Sequence, residues 1–126
     1  MSEAQVNEFD TKQYIVFSLG EERFGIDSLK ITTIDRMKTI TRVPKTPNYI
    51  KGVINLRGDI IPVMDLRAKF NLAPVEETDE TRIIILKLDE ISIGVIVDQV
   101  LQTIQLSETE IENASSLINT AASEYI

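Results

Sequence analysis

A repeat constrains this chain more than any other feature. YIVFSLGEERFGIDSLKITTI, from Tyr14 to Ile34, and RIIILKLDEISIGVIVDQVLQTI, from Arg82 to Ile104, follow one plan: strand, acidic turn, glycine-bearing strand, third extended piece. In the first copy Ile15, Phe17 and Leu19 alternate with Tyr14, Val16 and Ser18, the period of two that puts alternate residues on opposite faces of a strand. Gly20, Glu21 and Glu22 supply turn chemistry, and Phe24 and Ile26 resume the pattern, so residues 14–26 read as a hairpin. SLKITTIDR follows as a third extended piece. In the second copy Ile83, Ile85 and Leu88 loosely echo Ile15, Phe17 and Leu19, Gly94 echoes Gly25, and Asp89 and Glu90 repeat the acidic turn. Ser107 and Glu110 have capping-box spacing for a short helix, and SEYI at Ser123 to Ile126 matches PNYI at Pro47 to Ile50.

Between the copies, Val53 to Leu56 and Ile60 to Met64 are β-prone runs joined by a short glycine-containing link, a second hairpin. Pro62 inside the second run cannot donate a ladder hydrogen bond, which argues for an edge strand or a bulge. Asp65 is placed to cap a helical turn over Leu66 to Phe70. No counterpart of this hairpin follows SEYI. The repeat therefore implies a missing hairpin of about twenty residues and an open strand edge that favours swapped or edge-to-edge association, or a partly disordered second half. Short strands, little helix and a duplication favour an all-β architecture of two small barrels or curled sheets.

Composition narrows the function. The 126 residues are 43% hydrophobic, enough for one core, and no apolar run is long enough to span a bilayer as a helix. The acidic, polar start MSEAQVNEFD is unlike a secretory signal, and cysteine is absent, so a cytoplasmic setting is expected. A net charge of −7 disfavours nucleic acid. Histidine is absent as well, which removes the commonest general base and zinc ligand. The acidic cluster of Glu76, Glu77, Asp79 and Glu80 reads as a solvated loop, since it lacks the alternating ligands and turn glycine of a calcium loop.

Taken in order, YIVFSLGEERFGIDSLKITTI, TRVPKTPNYIKGVINLRGDIIPVMDLRAKF, IGVIVDQV and SEYI resemble the CheW coupling proteins of bacterial chemotaxis, over Tyr14 to Ile126. YIKGVINLRGDIIPVMDLR is the most specific part. The resemblance implies two five-stranded, SH3-like barrels, the second incomplete here, with a lead at 1–13 and a CheW-like domain at 14–126. Its interleaved halves fall at roughly 14–70 and 82–126. It also implies an adaptor with no catalysis, cofactor or metal, joining the histidine kinase CheA to chemoreceptor tips beneath the membrane. In the family, barrel ends pack on the kinase's CheW-like regulatory domain and the groove between barrels receives the receptor's helical hairpin. The partner-binding residues carried over are Ile31, Thr33, Asp35, Gly52, Val53, Asn55, Leu56, Arg57, Gly58, Ile83 and Gly94. A module of a larger coupling protein or of a kinase is the nearest alternative; the initial Met and short polar lead suit a standalone protein.

INLRGD at Ile54 to Asp59 admits three readings. An adhesion ligand would need an extracellular setting that nothing here supplies. A catalytic turn would pair Asp59 with Asp65 in an acid-dependent hydrolase. The third is a hairpin link in which Gly58 takes a positive φ while Arg57 and Asp59 solvate the tip. The resemblance adds a contact role for Arg57, whose five donors suit carboxylates and backbone oxygens. Where the family commonly has Glu, this chain has Thr33, and Asp35, two residues on, is the candidate replacement partner for Arg57. Of the apolar residues around the motif, most are expected in the core, with Val53 or Leu56 in the exposed set.

Overall fold

The structure, a computed structural model, describes residues 11–107. Eight strands, β1 (Thr11–Leu19), β2 (Glu22–Asp27), β3 (Ile31–Arg36), β4 (Ile50–Leu56), β5 (Asp59–Asp65), β6 (Arg82–Leu88), β7 (Ile91–Val97) and β8 (Gln99–Ser107), are joined by a 3-10 turn (Ser28–Lys30) and one short helix, α1 (Leu66–Lys69). The chain is all-β. One sheet runs β2-β1-β8 and the other β3-β6-β7-β5-β4.

The two copies of the repeat exchange their third strands. β1 and β2 form the first hairpin and β6 and β7 its counterpart, but β3 crosses over to pair with β6 and β8 returns to pair with β1. The β4–β5 hairpin joins the second hairpin through a parallel ladder in which Val63 lies opposite Gly94. β2 pairs only with β1 among the described residues, so its outer edge is open there.

β6 explains why RIIIL is apolar without interruption. Ile83 and Ile85 point into a cluster with Ile54, Ile61 and Val63 inside the five-stranded sheet. Ile84 and Leu86 point the other way, into a cluster with Phe17, Leu19, Leu66, Val95 and Val97 between the sheets. A strand buried on both faces shows no polar alternation. β1 begins three residues earlier than Tyr14, because Thr11, Lys12 and Gln13 pair with Ser107, Leu106 and Gln105 although their polar side chains carry no strand pattern.

At Pro62 β5 is paired with β4 alone, so the proline sits where the other side of the strand is a local edge and its missing N–H removes no ladder bond. β5 lies between β4 and β7, and the ladder to β7 starts at Val63, one residue after the proline. Asp65 caps α1, its Oδ1 accepting from the Arg67 and Ala68 amides at 3.0 and 3.5 Å. The expected helix after Ser107 and the SEYI match at Ser123 to Ile126 lie outside the described residues.

Candidate protein-interaction surface

The link between β4 and β5 is two residues long, with Leu56 opposite Asp59. Arg57 and Gly58 have φ of 54° and 92°, the signs of a type I′ turn, whose twist matches the flanking strands. Gly58 does not hold the positive φ alone. Arg57 shares it, at a cost of roughly 1 kcal/mol for a residue with a Cβ. Asn55 holds the turn, its Oδ1 accepting from the Gly58 amide at 2.9 Å. The Arg57 side chain is exposed, with no hydrogen-bond or ion-pair partner among the described residues.

Beside this turn three strands end in apolar side chains left in water. Leu88 is 40% exposed and lies opposite Ile91, which is 64% exposed, across the β6–β7 hairpin. Ile60, also 64% exposed, is near the start of β5, which runs parallel to β7 and so begins at the same end of the sheet as Ile91. Alternation assigns one face to all three: Leu88 follows Ile84 and Leu86, Ile91 precedes Ile93 and Val95, and Ile60 precedes Met64, all of which face the inter-sheet cluster. Leu29, on the 3-10 turn against β6, is 88% exposed. Scattered apolar residues are ordinary on a surface, but several at one end of a sheet make a candidate interaction surface.

This group corrects the expectation that Val53 or Leu56 would be the exposed member of the motif. Both are half-buried, Leu56 against the cluster inside the five-stranded sheet, and Ile60 is the residue that faces water. Sequence pattern could not separate Ile60, Ile91 and Leu88 from core residues, because each continues an apolar strand.

The other residues carried over divide into surface and interior. Asn55, Arg57 and Gly58 are exposed, while Ile31, Thr33 and Asp35 are half-buried along β3, opposite Leu86, Ile85 and Ile83. Asp35 is 4.0 Å from Lys38, and no ion pair joins it to Arg57 among the described residues, so the substitute pair is not formed. Ile83, fully enclosed, and the buried glycines Gly52 and Gly94 cannot touch a partner with a side chain. A Cβ on Gly94 would come within 3.0 Å of Ile83 and 3.3 Å of Ile85, so this glycine lets β7 sit under them.

The carboxylate pair of a hydrolase is also ruled out by position. Asp59 and Asp65 begin and end β5, six residue steps or about 20 Å apart, and Asp65 is committed to the α1 cap. Among the described residues no cluster of acidic side chains could hold a metal ion.

One polar constellation had no signal in the sequence. Arg67 on α1 donates to both carboxylate oxygens of Asp98 at the β7–β8 junction, with contacts of 3.0, 3.1 and 2.7 Å. Asp98 Oδ2 also accepts from the Gly20 amide at 2.7 Å, and the Asp98 amide donates to the Ser18 carbonyl. The guanidinium hydrogen bonds hold the Asp98 carboxyl below its usual range, against the opposing effect of burial, with help from Gly20; the same contact raises the Arg67 pKa. α1, the first hairpin turn and the β7–β8 junction are fastened together at this point, which fixes the two sheets relative to each other.

Among the described residues the fold is thus a strand-exchanged pair of β-sheets with an exposed apolar surface and no metal-holding cluster. The family model for the CheW-like domain matches residues 13–126. The chain belongs to the CheW-like domain family. It is 38% identical to the chemotaxis protein CheW of Klebsiella aerogenes over 91% of this chain and 69% of that one. To the chemotaxis protein CheW of Bacillus subtilis it is 44% identical, over 82% of this chain and 66% of the relative. The CheW-like chain thus spans about two thirds of the length of these curated relatives. The crystal structure of the scaffolding protein CheW from Thermoanaerobacter tengcongensis superposes with a TM-score of 0.75 at 40% identity, over 78% of this chain and 67% of that one.

Proposed function

We propose that this chain is a chemotaxis scaffold, not an enzyme, and that it couples chemoreceptors to the regulatory domain of a CheA kinase by binding each through a different surface. The observation that carries the reading is the group of Leu88, Ile91 and Ile60 at one end of the five-stranded sheet, with Arg57 projecting beside it. An apolar centre flanked by a free guanidinium has the make-up of a protein-binding patch. The kinase domain packs on this end. The receptor's helical hairpin lies in the groove between the sheets, where Ile31 on β3 and Val53 on β4 offer half-buried contacts; Thr33 and Asp35, paired with Ile85 and Ile83, are on the opposite face of β3. No helix among the described residues is long and apolar enough to cross a membrane; the chain reaches receptor arrays in the cytoplasm through its partners. The open edge of β2 gives a route to self-association.

The test is titration calorimetry of this chain against a purified CheA regulatory domain and a receptor signalling fragment. The Ile60→Asp, Ile91→Asp double variant is expected to weaken kinase-domain binding at least tenfold and to leave receptor binding within about twofold, with an unchanged circular dichroism spectrum. Binding of neither partner by the unsubstituted chain overturns the coupling function. Unaltered kinase binding by the folded double variant overturns the surface.

A further inference from the structure

The charge of this acidic protein is unevenly placed. Between Arg36 and Gly58 there is no Asp or Glu, yet six of the chain's 13 basic residues fall there: Arg36, Lys38, Arg42, Lys45, Lys51 and Arg57. Three of them, Arg42, Lys45 and Lys51, line a concavity of about 440 Å³ formed by the loop from β3 to β4, whose walls contain no acidic residue. None of the three has an ion-pair or side-chain hydrogen-bond partner among the described residues. Val43, 39% exposed, and Pro44 and Pro47 also line the hollow and add apolar surface to it.

The loop is held in shape. Its stem is closed by reciprocal backbone hydrogen bonds between Thr41 and Val53, at 2.9 and 2.8 Å. That closure depends on Gly52, where a Cβ would lie 2.1 Å from the Thr41 carbonyl oxygen. Within the loop Thr46 Oγ1 donates to the Val43 carbonyl at 3.1 Å and the Ile50 amide to the Pro47 carbonyl at 3.0 Å. At its far side the Tyr49 carbonyl accepts from the Asp65 amide at 2.7 Å, and Lys69 Nζ lies 4.3 Å from the centre of the Tyr49 ring. A short loop with closed ends and internal contacts presents its charges without first paying to order them.

From these features we infer that the β3–β4 loop is a docking site for a short acidic segment of a partner protein, one that presents several carboxylates around an apolar side chain. The carboxylates meet Arg42, Lys45 and Lys51, and the apolar side chain meets Val43 and the prolines. Charge complementarity favours this occupant over a nucleic acid: a long polyanion would also meet the field of the −7 chain, whereas a short segment samples the local cations. The site lies at the Ile50–Met64 end of the β4–β5 hairpin, away from the Leu56–Asp59 end that carries Arg57 and Ile60, so it is separate from the kinase surface proposed above and does not depend on it.

The experiment uses the full chain, uniformly labelled with nitrogen-15, titrated with the peptide Glu-Glu-Leu-Glu-Glu and, in parallel, with Gln-Gln-Leu-Gln-Gln. Saturable amide shifts centred on residues 42–51 are expected for the acidic peptide alone, with affinity falling severalfold as salt rises from about 50 to about 300 mM. The Arg42→Gln, Lys45→Asn, Lys51→Gln variant is expected to lose at least tenfold in affinity. Asparagine is chosen because Lys45 has φ of 65°, a conformation Asn tolerates, so the loop keeps its shape. A backbone spectrum unchanged outside the loop verifies folding; should the triple variant not fold, Lys51→Glu alone is expected to weaken binding severalfold. The proposal is overturned if the folded variant binds the acidic peptide as well as the parent does, if both peptides bind alike, or if shifts centre elsewhere. It is equally overturned if phosphatidylglycerol vesicles bind through these cations while the acidic peptide does not.

Discussion

Arg67 and Asp98, 31 residues apart, form a two-pronged ion pair with side chains only 14% and 25% exposed. Because Asp98 also accepts from Gly20, Asp98→Asn loses the charge at a point where three elements meet. The cost is expected to be about 2 kcal/mol at pH 7, within the range for hydrogen bonds to charged groups. The sign of the pH dependence follows from the depressed Asp98 pKa. Its contribution is fully present above the unfolded carboxyl pKa near ~4 and is lost as pH falls through the lower folded value. Urea denaturation of parent and variant should therefore show a gap that is constant from neutral pH to about 5 and narrows below about 4. A gap unchanged at pH 3 would mean that packing, not charge, fastens the sheets.

Gly52→Ala tests the stem of the basic loop. With φ of 148° and the Thr41 carbonyl oxygen 2.1 Å from the new Cβ, the substitution meets backbone that cannot swing aside as a side chain would. A loss of roughly 2–4 kcal/mol is expected, at the upper end of single-residue effects. Hydrogen exchange should show the Thr41 and Val53 amides losing protection before the β6–β7 ladder does.

What the sequence makes legible follows from where each cue is stored. The hairpin at Tyr14 to Ile26 and the β4–β5 pair are written in local alternation and turn residues, so they could be read directly. The exchange of β3 and β8 between the two copies depends on which first strand each third strand meets, which no local pattern records. In the site, NLRG marked the turn correctly because Asn55, Arg57 and Gly58 act within four residues. The group of Ile60, Ile91 and Leu88 stayed hidden, since apolar residues at strand ends look alike whether the fold covers them or not. Ile83 and Gly94 erred the other way: resemblance offered them as contacts, and the fold buries both. Arg67 and Asp98 meet only through tertiary structure, whereas the cations of the β3–β4 loop are neighbours in sequence and only the shape of their hollow needs the fold.

Arg57→Gly separates strain from contact. Glycine at this turn position relieves the cost of φ 54°, so thermal stability should stay level or rise by up to about 1 kcal/mol. Kinase-domain binding should nonetheless weaken at least threefold in calorimetry if the guanidinium touches the partner. Unchanged binding together with raised stability would assign Arg57 to solvation of the tip. Asn55→Ala is the complementary variant. It removes the 2.9 Å hydrogen bond to the Gly58 amide, and a loss of about 1 kcal/mol is expected.

The open edge of β2 makes a prediction about assembly. Its backbone is unpaired on one side among the described residues, although Glu21, Glu22 and Arg23 charge one end of it, a common way of discouraging strand addition. If copies nevertheless pair through this edge, sedimentation should show a dimer fraction that grows with concentration. Gly25 lies mid-strand, and a Cβ there meets only Tyr14 at 3.7 Å, so Gly25→Lys is accommodated while placing a charge at the edge. The variant should remain folded and sediment as a monomer at concentrations where the parent dimerises. Equal dimer fractions for parent and variant would move the contact away from β2, and the exposed group of Leu88, Ile91 and Ile60 would then be the next surface to substitute.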